Sequence, residues 1–129
     1  MGLLKWLLGY TRQKGKRGTV DYNAHKMRKK YPTTKGGYFG KRGKGGARVI
    51  YSENQYKESN RFYSKISKGG RETSLPNEHG VQKTMKDGGR VVYRKKTSTP
   101  DSPAVDLGKM QGKIKNQRIH FERKKSNGK

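Results

Sequence analysis

The sequence predicts an α+β fold, with one N-terminal helix packed on a small antiparallel sheet of about four strands and a largely irregular basic arm ahead of it. Three observations lead to this prediction. A helical pattern follows residue 52, alternating patterns occupy the chain after residue 80, and basic glycine-rich runs precede both. We place the arm at residues 1–49, a compact domain at 50–125 and a basic tail at 126–129.

The predicted helix begins near Ser52. Ser52 and Gln55 have the three-residue spacing of a capping box, which satisfies free N–H groups at the start of a helix. Gly69 and Gly70 end the pattern, because glycine is a poor helix former. Four large apolar side chains share one face of the helix at helical spacing: Tyr56, Phe62, Tyr63 and Ile66.

Strands are predicted where apolar and polar residues alternate. Residues 81–85 and 90–96 flank the run Asp87-Gly88-Gly89, and an Asp-Gly step between two alternating runs is a strong signal for a β-hairpin. Two shorter strands are predicted at 104–107 and 117–122, after a loop rich in Ser, Thr, Pro and Asp. These four segments supply the predicted sheet.

The first part of the chain differs from the rest in charge and in glycine content. Residues 1–52 hold 14 basic residues and one acidic residue, whereas residues 53–129 hold 19 and 8. Glycines recur through 36–46 and disfavour both helix and strand, so residues 11–47 are expected to be extended and mobile. Residues 1–10 can form a short amphipathic helix that contacts either the protein's own domain or a membrane or partner.

The net charge predicts a polyanionic partner. The chain has 33 Lys and Arg residues against 9 Asp and Glu, a formal net charge of +24. RNA is the expected partner, because phosphate backbones attract such a chain and its 8 Tyr are scattered among Lys, Arg and Gly, which suits base stacking. No apolar run approaches the ~20 residues of a membrane span, so stable membrane insertion is not expected. The residues expected to contact nucleic acid are Lys14, Lys16, Arg17, Lys41, Arg42, Lys44, Arg48, Lys83 and Lys96.

The last predicted strand carries the strongest candidates for catalysis. Alternation places Ile119 and Phe121 on one face and Arg118, His120 and Glu122 on the other. An imidazole beside a guanidinium and a carboxylate can cleave a phosphodiester: the imidazole transfers a proton and the guanidinium stabilises the developing charge. The alternative is an ordinary surface histidine.

The end of the hairpin adds a second group of candidates. Arg94, followed by the hydroxyls of Thr97 and Ser98, can hold a scissile phosphate, and a solvated basic strand edge is the alternative. His79 is either another acid–base group or a turn residue, and His25 has no assigned role. The chain has no Cys, and its three His show no ligand spacing, so no metal or other cofactor is expected.

Seven short segments of the second half follow one another in a distinctive order. They are FYSKISKGG at 62–70, GVQ at 80–82, KDGG at 86–89, VYR at 92–94, TST at 97–99, SPAVD at 102–106 and RIHF at 118–121. This succession, which covers roughly residues 56–122, resembles the C-terminal toxin domains of bacterial polymorphic toxins, carried by secreted and prophage-associated proteins.

The resemblance implies a small ribonuclease of the barnase, EndoU, colicin and RelE type, which cuts RNA without a metal. It implies His120 as the acid or base, with Arg94, Thr97 and Ser98 supplied by the strand and loop before the 102–106 segment. In such proteins the toxin domain follows a long delivery region in the same chain, whereas here a basic stretch beginning at Met1 precedes the domain. This departure suggests either a trimmed reading frame or a stand-alone, phage-encoded protein.

The expected partners and location depend on this role. A toxin is secreted or delivered into the cytoplasm of a target cell, and an acidic immunity protein would suit its positive charge. A non-catalytic RNA- or DNA-binding protein is the alternative function, with a cytoplasmic location. A membrane-active basic peptide is the third option.

Overall fold

Two α-helices, a 3-10 helix (Lys44–Gly46) and seven strands form the part of the chain that the computed structural model describes, residues 16–75 and 80–124. The α-helices are α1 (Val20–Lys26) and α2 (Gln55–Ile66). The strands are β1 (Lys41–Arg42), β2 (Arg48–Ser52), β3 (Arg71–Ser74), β4 (Val81–Thr84), β5 (Arg90–Arg94), β6 (Ala104–Gly108) and β7 (Gln117–Arg123).

The seven strands make one mixed sheet in the order β1-β2-β7-β6-β5-β4-β3. Strands β3 to β7 are joined as successive antiparallel neighbours. Strand β2 runs parallel to β7, and β1 pairs antiparallel with β2 at the edge. Because α2 lies between β2 and β3 in the chain, it carries the backbone from one side of the sheet to the opposite edge.

The core lies between α2 and one face of the sheet. Phe62 of α2 is fully buried, and the ring centroids of Tyr31, Phe39 and Phe121 lie 5.1, 5.0 and 5.4 Å from its own. Burying one such side chain contributes roughly 1.5–3 kcal/mol. The strands supply the alternate residues of the same layer: Val91, Tyr93, Val105, Leu107, Ile119 and Phe121.

Helix α2 begins later than the capping box predicts. Its N-cap is Asn54, whose side chain accepts a hydrogen bond of 3.1 Å from the backbone N of Lys57. Ser52 stays in β2, because its carbonyl oxygen accepts from the N of Lys124 and so extends the pairing with β7. The predicted end of the helix is confirmed, since Gly69 follows it with φ +89°, a conformation that glycine adopts without strain.

The predicted fold class is wrong. Instead of one helix on about four antiparallel strands, the protein has two helices and a seven-stranded mixed sheet. The expected irregular arm is also wrong for residues 20–49, because these residues contain α1, β1 and the start of β2 and contribute Val20 and Phe39 to the core. The hairpin between β4 and β5 and the strands β6 and β7 are confirmed.

Two of the missed strands have little hydrophobic pattern. Strand β3 is exposed at all four positions, and β1 consists of two exposed basic residues. Both are held by backbone hydrogen bonding to a neighbouring strand, which leaves no trace in side-chain alternation. The predicted segment 1–10, the tail 126–129 and His79 lie outside the described residues. Neither helix in the described ranges has the length and apolar character that a membrane span requires.

Candidate active site

A row of side chains crosses the open face of the sheet, which we define as the face opposite α2. Pairing aligns Arg94 of β5 with Ala104 of β6, and Ala104 with His120 of β7. Paired residues project to the same side, and neighbouring strands are about 4.8 Å apart, so the Cα atoms of Arg94 and His120 are about 10 Å apart. Ala104 contributes only a buried methyl group between them. Both longer side chains can therefore reach one anion bound above Ala104.

His120 is oriented by a buried serine. Its Nδ1 lies 2.8 Å from Oγ of Ser102, which is 2% exposed. The serine hydroxyl can donate to Nδ1 or accept from it, and in either case the bond fixes the plane of the ring. No described residue makes a hydrogen bond to Nε2 of His120, so this nitrogen is the one that can exchange a proton with a substrate.

The loop that carries Ser102 is fastened from two sides. The hydroxyl of Thr97 donates to the carbonyl oxygen of Ser102 at 2.7 Å, and the N of Phe121 donates to the carbonyl oxygen of Pro103 at 2.8 Å. Thr97 was expected to hold a phosphate, but its proton is used inside the loop. Ser98 is exposed in the same loop.

Arg94 and Arg118 share one carboxylate. Nε of Arg94 donates to Asp106 at 3.0 Å, and Arg118 donates to the same group through Nε at 2.7 Å and Nη2 at 2.9 Å. The bonds to Asp106 raise the pKa of Arg118 above its ordinary value. The two arginine side chains are 34% and 48% exposed, so their remaining N–H groups are accessible to an anion. Asp106 therefore holds two guanidinium groups in fixed positions beside His120.

Glu122 completes the polar side of β7. It is partly buried, lies two residues beyond His120 on the same face, and pairs with Tyr51 of β2. Two residues along a strand correspond to about 6.7 Å. Tyr51 is 47% exposed, which leaves an aromatic face next to the carboxylate. The open face thus presents a carboxylate, an imidazole and two guanidinium groups together.

Most of the residues expected to contact nucleic acid are exposed, and Lys14 lies outside the described part of the chain. Lys41 extends the row, because it pairs with Val49, which in turn pairs with His120. The exposed members of the expected set are Lys16, Arg17, Lys41, Arg42, Lys44 and Lys96.

Two of the expected nucleic-acid contacts make contacts within the protein. Arg48 donates to the carbonyl oxygens of Phe39 and Gly40, both at 2.9 Å, and its guanidinium lies 5.3 Å from the centre of the Tyr38 ring. Nζ of Lys83 lies 5.4 Å from the ring centre of Tyr63, on the face of the sheet that α2 covers. Neither side chain is part of the open face.

The acidic residues of the described ranges leave most of the positive charge uncompensated. Asp106 is the only acid there with an ion pair to Lys or Arg. Five others accept hydrogen bonds from neutral donors, namely backbone N–H groups or tyrosine hydroxyls: Asp21, Glu58, Glu72, Asp87 and Asp101. These carboxylates stabilise the fold while Lys and Arg side chains remain available to a polyanion.

Two residues of the site were not identified from the sequence. Asp106 alternates with Val105 and Leu107 in β6, and this pattern was sufficient to place it on the open face. Ser102 carries no such signal, because its contact with His120 depends on how β6 enters the sheet. Among residues 16–75 and 80–124, no three His, Cys, Asp or Glu side chains converge on a point that could hold a metal ion.

The chain was compared with protein-family models, with curated proteins and with solved structures, and no match was found in any of the three.

Proposed function

We propose that the protein binds single-stranded RNA across the open face of its sheet and cleaves it there. The observation that carries this proposal is the hydrogen bond between buried Ser102 and His120, in a row that also holds Arg94. A serine that orients an imidazole beside two fixed guanidinium groups is an arrangement suited to phosphodiester chemistry. The uncompensated positive charge of the chain would bring RNA to this face.

The proposed reaction is an internal transesterification. Glu122 accepts the proton of a ribose 2′-hydroxyl, whose oxygen attacks the adjacent phosphorus and forms a new P–O bond. Protonated His120 gives its Nε2 proton to the departing 5′-oxygen as the original P–O bond breaks. Arg94 and Arg118 stabilise the extra negative charge on the phosphorus oxygens. The products are a 2′,3′-cyclic phosphate and a free 5′-hydroxyl.

A labelled RNA oligonucleotide tests this proposal. Purified protein with excess EDTA should cut the RNA and leave a 2′,3′-cyclic phosphate, and a 2′-deoxy substitution at the cleaved nucleotide should block the cut. His120→Ala should lower the rate by about 10²–10⁴, the usual contribution of an acid–base group. His25→Ala, in α1, is the matched control and should cleave as the wild type does. RNA that stays intact with the wild-type protein would refute the proposed activity.

A second candidate function is binding without cleavage. The ion pairs of Asp106 favour it, because the same Arg94–Asp106–Arg118 contacts can simply hold three strands together on a cationic surface. In that case the oligonucleotide would bind tightly, with affinity falling steeply as salt rises, and would be recovered uncut. His120→Ala would then leave the affinity unchanged.

The resemblance to toxin domains adds a cellular expectation to the first candidate. Production of the wild-type chain in bacterial cytoplasm should arrest growth with loss of intact RNA, and His120→Ala should relieve the arrest. An acidic immunity protein is the partner that this role would require. Growth arrest that is equal for both chains would point to a cause other than the chemistry of His120.

A further inference from the structure

A second basic site lies away from the open face, in a cleft of about 570 Å³ between α1, the end of α2 and the turn before β5. We call it the basic cleft. No carboxylate of the part of the chain that the structure describes lines it. The ring of Tyr22 forms part of the wall of the cleft. Five charged residues also line the cleft: Arg17, Lys26, Lys65, Lys68 and Lys86.

The five positive charges of the basic cleft have no acidic partners among residues 16–75 and 80–124. None of them forms an ion pair with any residue in the described ranges. The end of α2 contributes a partial negative charge of only about one half. Asn23 already donates hydrogen bonds to the carbonyl oxygens of Ile66 and Lys68 there, at 2.8 and 3.0 Å. A large excess of positive charge therefore remains for an external anion.

Backbone contacts build the frame of the basic cleft. Gly18 has φ +91° and Gly69 has φ +89°, and a Cβ on Gly69 would lie 3.0 Å from the Cα of Gly18. The N of Lys86 donates to the carbonyl oxygen of Gly18 at 3.0 Å. The approach to α1, the end of α2 and the turn before β5 are thus fixed against one another, so the lysines converge from three anchored segments.

Tyr22 makes the basic cleft suited to nucleotides rather than to phosphate alone. The charged groups of Arg17 and Lys26 each lie 5.9 Å from the centre of its ring. Both cations lie over the ring, and their flexible side chains can turn to the phosphates on either side when a base stacks on it.

The basic cleft is separate from the site of His120. Arg94 stands at one end of β5, whereas Lys86 precedes the other end, which is about 13 Å away along the strand. The cleft also lies on the helical side of the sheet, opposite the open face. One anion cannot occupy both places.

We propose that the basic cleft is a second binding site for the sugar-phosphate chain, which anchors a segment of single-stranded RNA outside the segment that crosses the open face. The proposal takes its ligand class from the proposed function but does not depend on cleavage. Free nucleoside polyphosphates share the same chemistry and are the other possible source of the ligand.

The test uses a fluorescent 20-nucleotide oligouridylate carrying 2′-O-methyl groups, which cannot undergo the proposed cleavage. One variant replaces Lys26, Lys65 and Lys68 with Gln, and all three side chains are exposed. The matched control replaces three exposed lysines outside the cleft, Lys35, Lys109 and Lys115, with Gln. Both variants lose the same net charge, so a general effect of charge cannot separate them. Binding is measured by fluorescence anisotropy over a range of salt concentrations.

The cleft variant should bind the oligonucleotide at least about tenfold more weakly than the control variant. The slope of log Kd against log salt concentration should be smaller by about 2 than for the control variant. Each phosphate contact on a single strand contributes about 0.7 to this slope, and the variant removes three lysines. Tyr22→Leu should weaken binding of the oligonucleotide but not of inorganic triphosphate. Equal losses of affinity for the oligonucleotide in the two lysine variants would overturn the proposal. The proposal would also be overturned if the cleft variant lost affinity for uridine triphosphate but not for the oligonucleotide, because the ligand would then be a free nucleotide.

Cleavage kinetics separate this inference from the proposed function. With cleavable RNA, the cleft variant should have a higher KM for a 20-nucleotide substrate and an unchanged kcat. Its KM for a dinucleotide should equal that of the wild type. If the wild-type protein cuts no RNA, the proposed function fails, while the comparison of binding by the two lysine variants still decides whether the basic cleft is a site.

Discussion

The hydroxyl oxygen of Ser102 lies 2.8 Å from Nδ1 of His120, although the two residues are 18 positions apart. The contact arises because β6 and β7 are antiparallel neighbours, and Ala104 at the start of β6 pairs with His120. Ser102 stands two residues before Ala104 and is 2% exposed. The imidazole is therefore attached to a rigid part of the structure rather than free at the surface.

Ser102→Ala should slow cleavage by about tenfold to a hundredfold without changing KM, which is less than the loss expected for His120→Ala. The reason is that the ring would lose the bond that fixes its plane and tautomer while keeping its proton-transferring nitrogen. The pH profile of kcat should shift as well, a change that a purely structural role would not produce. Ser102→Thr, which keeps the hydroxyl, should recover part of the rate. A variant with normal kcat and an unchanged profile would contradict this role for Ser102.

Asp106→Asn should separate binding from catalysis. Removing the negative charge adds to the positive surface, so RNA affinity should hold or increase. The rate of cleavage should nevertheless fall, because Arg94 and Arg118 lose the carboxylate that positions them. The free energy of unfolding should fall by only about 1 kcal/mol, since pairs this exposed are weakened by solvent. Parallel losses of affinity and rate would instead indicate that Asp106 acts only through folding.

The strand that holds the site could be predicted from the sequence because β7 alternates cleanly. Ile119 and Phe121 are fully buried, whereas Arg118 is exposed and His120 and Glu122 are partly exposed. The same alternation holds in β5, where Val91 and Tyr93 belong to the core and Arg94 lies on the open face. Alternation with a period of two residues indicates which face of the sheet each residue occupies. This inference needs no knowledge of the neighbouring strands.

The order of strands could not be predicted in the same way. The parallel pairing of β2 with β7 depends on contacts between residues more than 60 positions apart, such as Ile50 and Phe121. Helix α1 has seven residues and a low proportion of apolar side chains, so its pattern is weak. It is held by tertiary contacts, among them the bonds from Asn23 to the end of α2. The glycine-rich, basic composition of this part of the chain predicted an irregular arm. The segment is ordered because of contacts with distant residues, which composition does not reveal.

Phe39→Ala tests whether this early segment is part of the fold. Phe39 is fully buried against Phe62, and its N–H donates to the side chain of Gln117 at 2.8 Å. The substitution should lower the free energy of unfolding by about 3–5 kcal/mol, a large share of the ~5–15 kcal/mol typical of a domain. Tyr38→Ala, at the adjacent and exposed position, is the control and should cost much less. Equal and small effects in urea unfolding would mean that residues 20–52 do not belong to the core.

Alkaline pH should destabilise the protein through Tyr63. Burial, and then the hydrogen bond that its hydroxyl donates to Glu72 at 3.1 Å, raise the pKa of Tyr63 above its ordinary value. In the unfolded chain this tyrosine loses its proton near pH 10, whereas the folded state retains it. The unfolded state then binds fewer protons, so the free energy of unfolding is unaffected below about pH 9 and falls above pH 10, by up to about 1.4 kcal/mol per pH unit.

Tyr63→Phe should reverse part of this dependence. The variant should be less stable at pH 7, by about 0.5–1.5 kcal/mol for the lost hydrogen bond, but should lose less stability between pH 9 and 11 because no proton is released at this position. Tyr51→Phe, on the exposed side of β2, is the matched control and should follow the wild-type curve. Urea unfolding at a series of pH values, at constant ionic strength, measures both effects. Parallel curves for the wild type and Tyr63→Phe would show that the ionisation of Tyr63 does not determine alkaline stability.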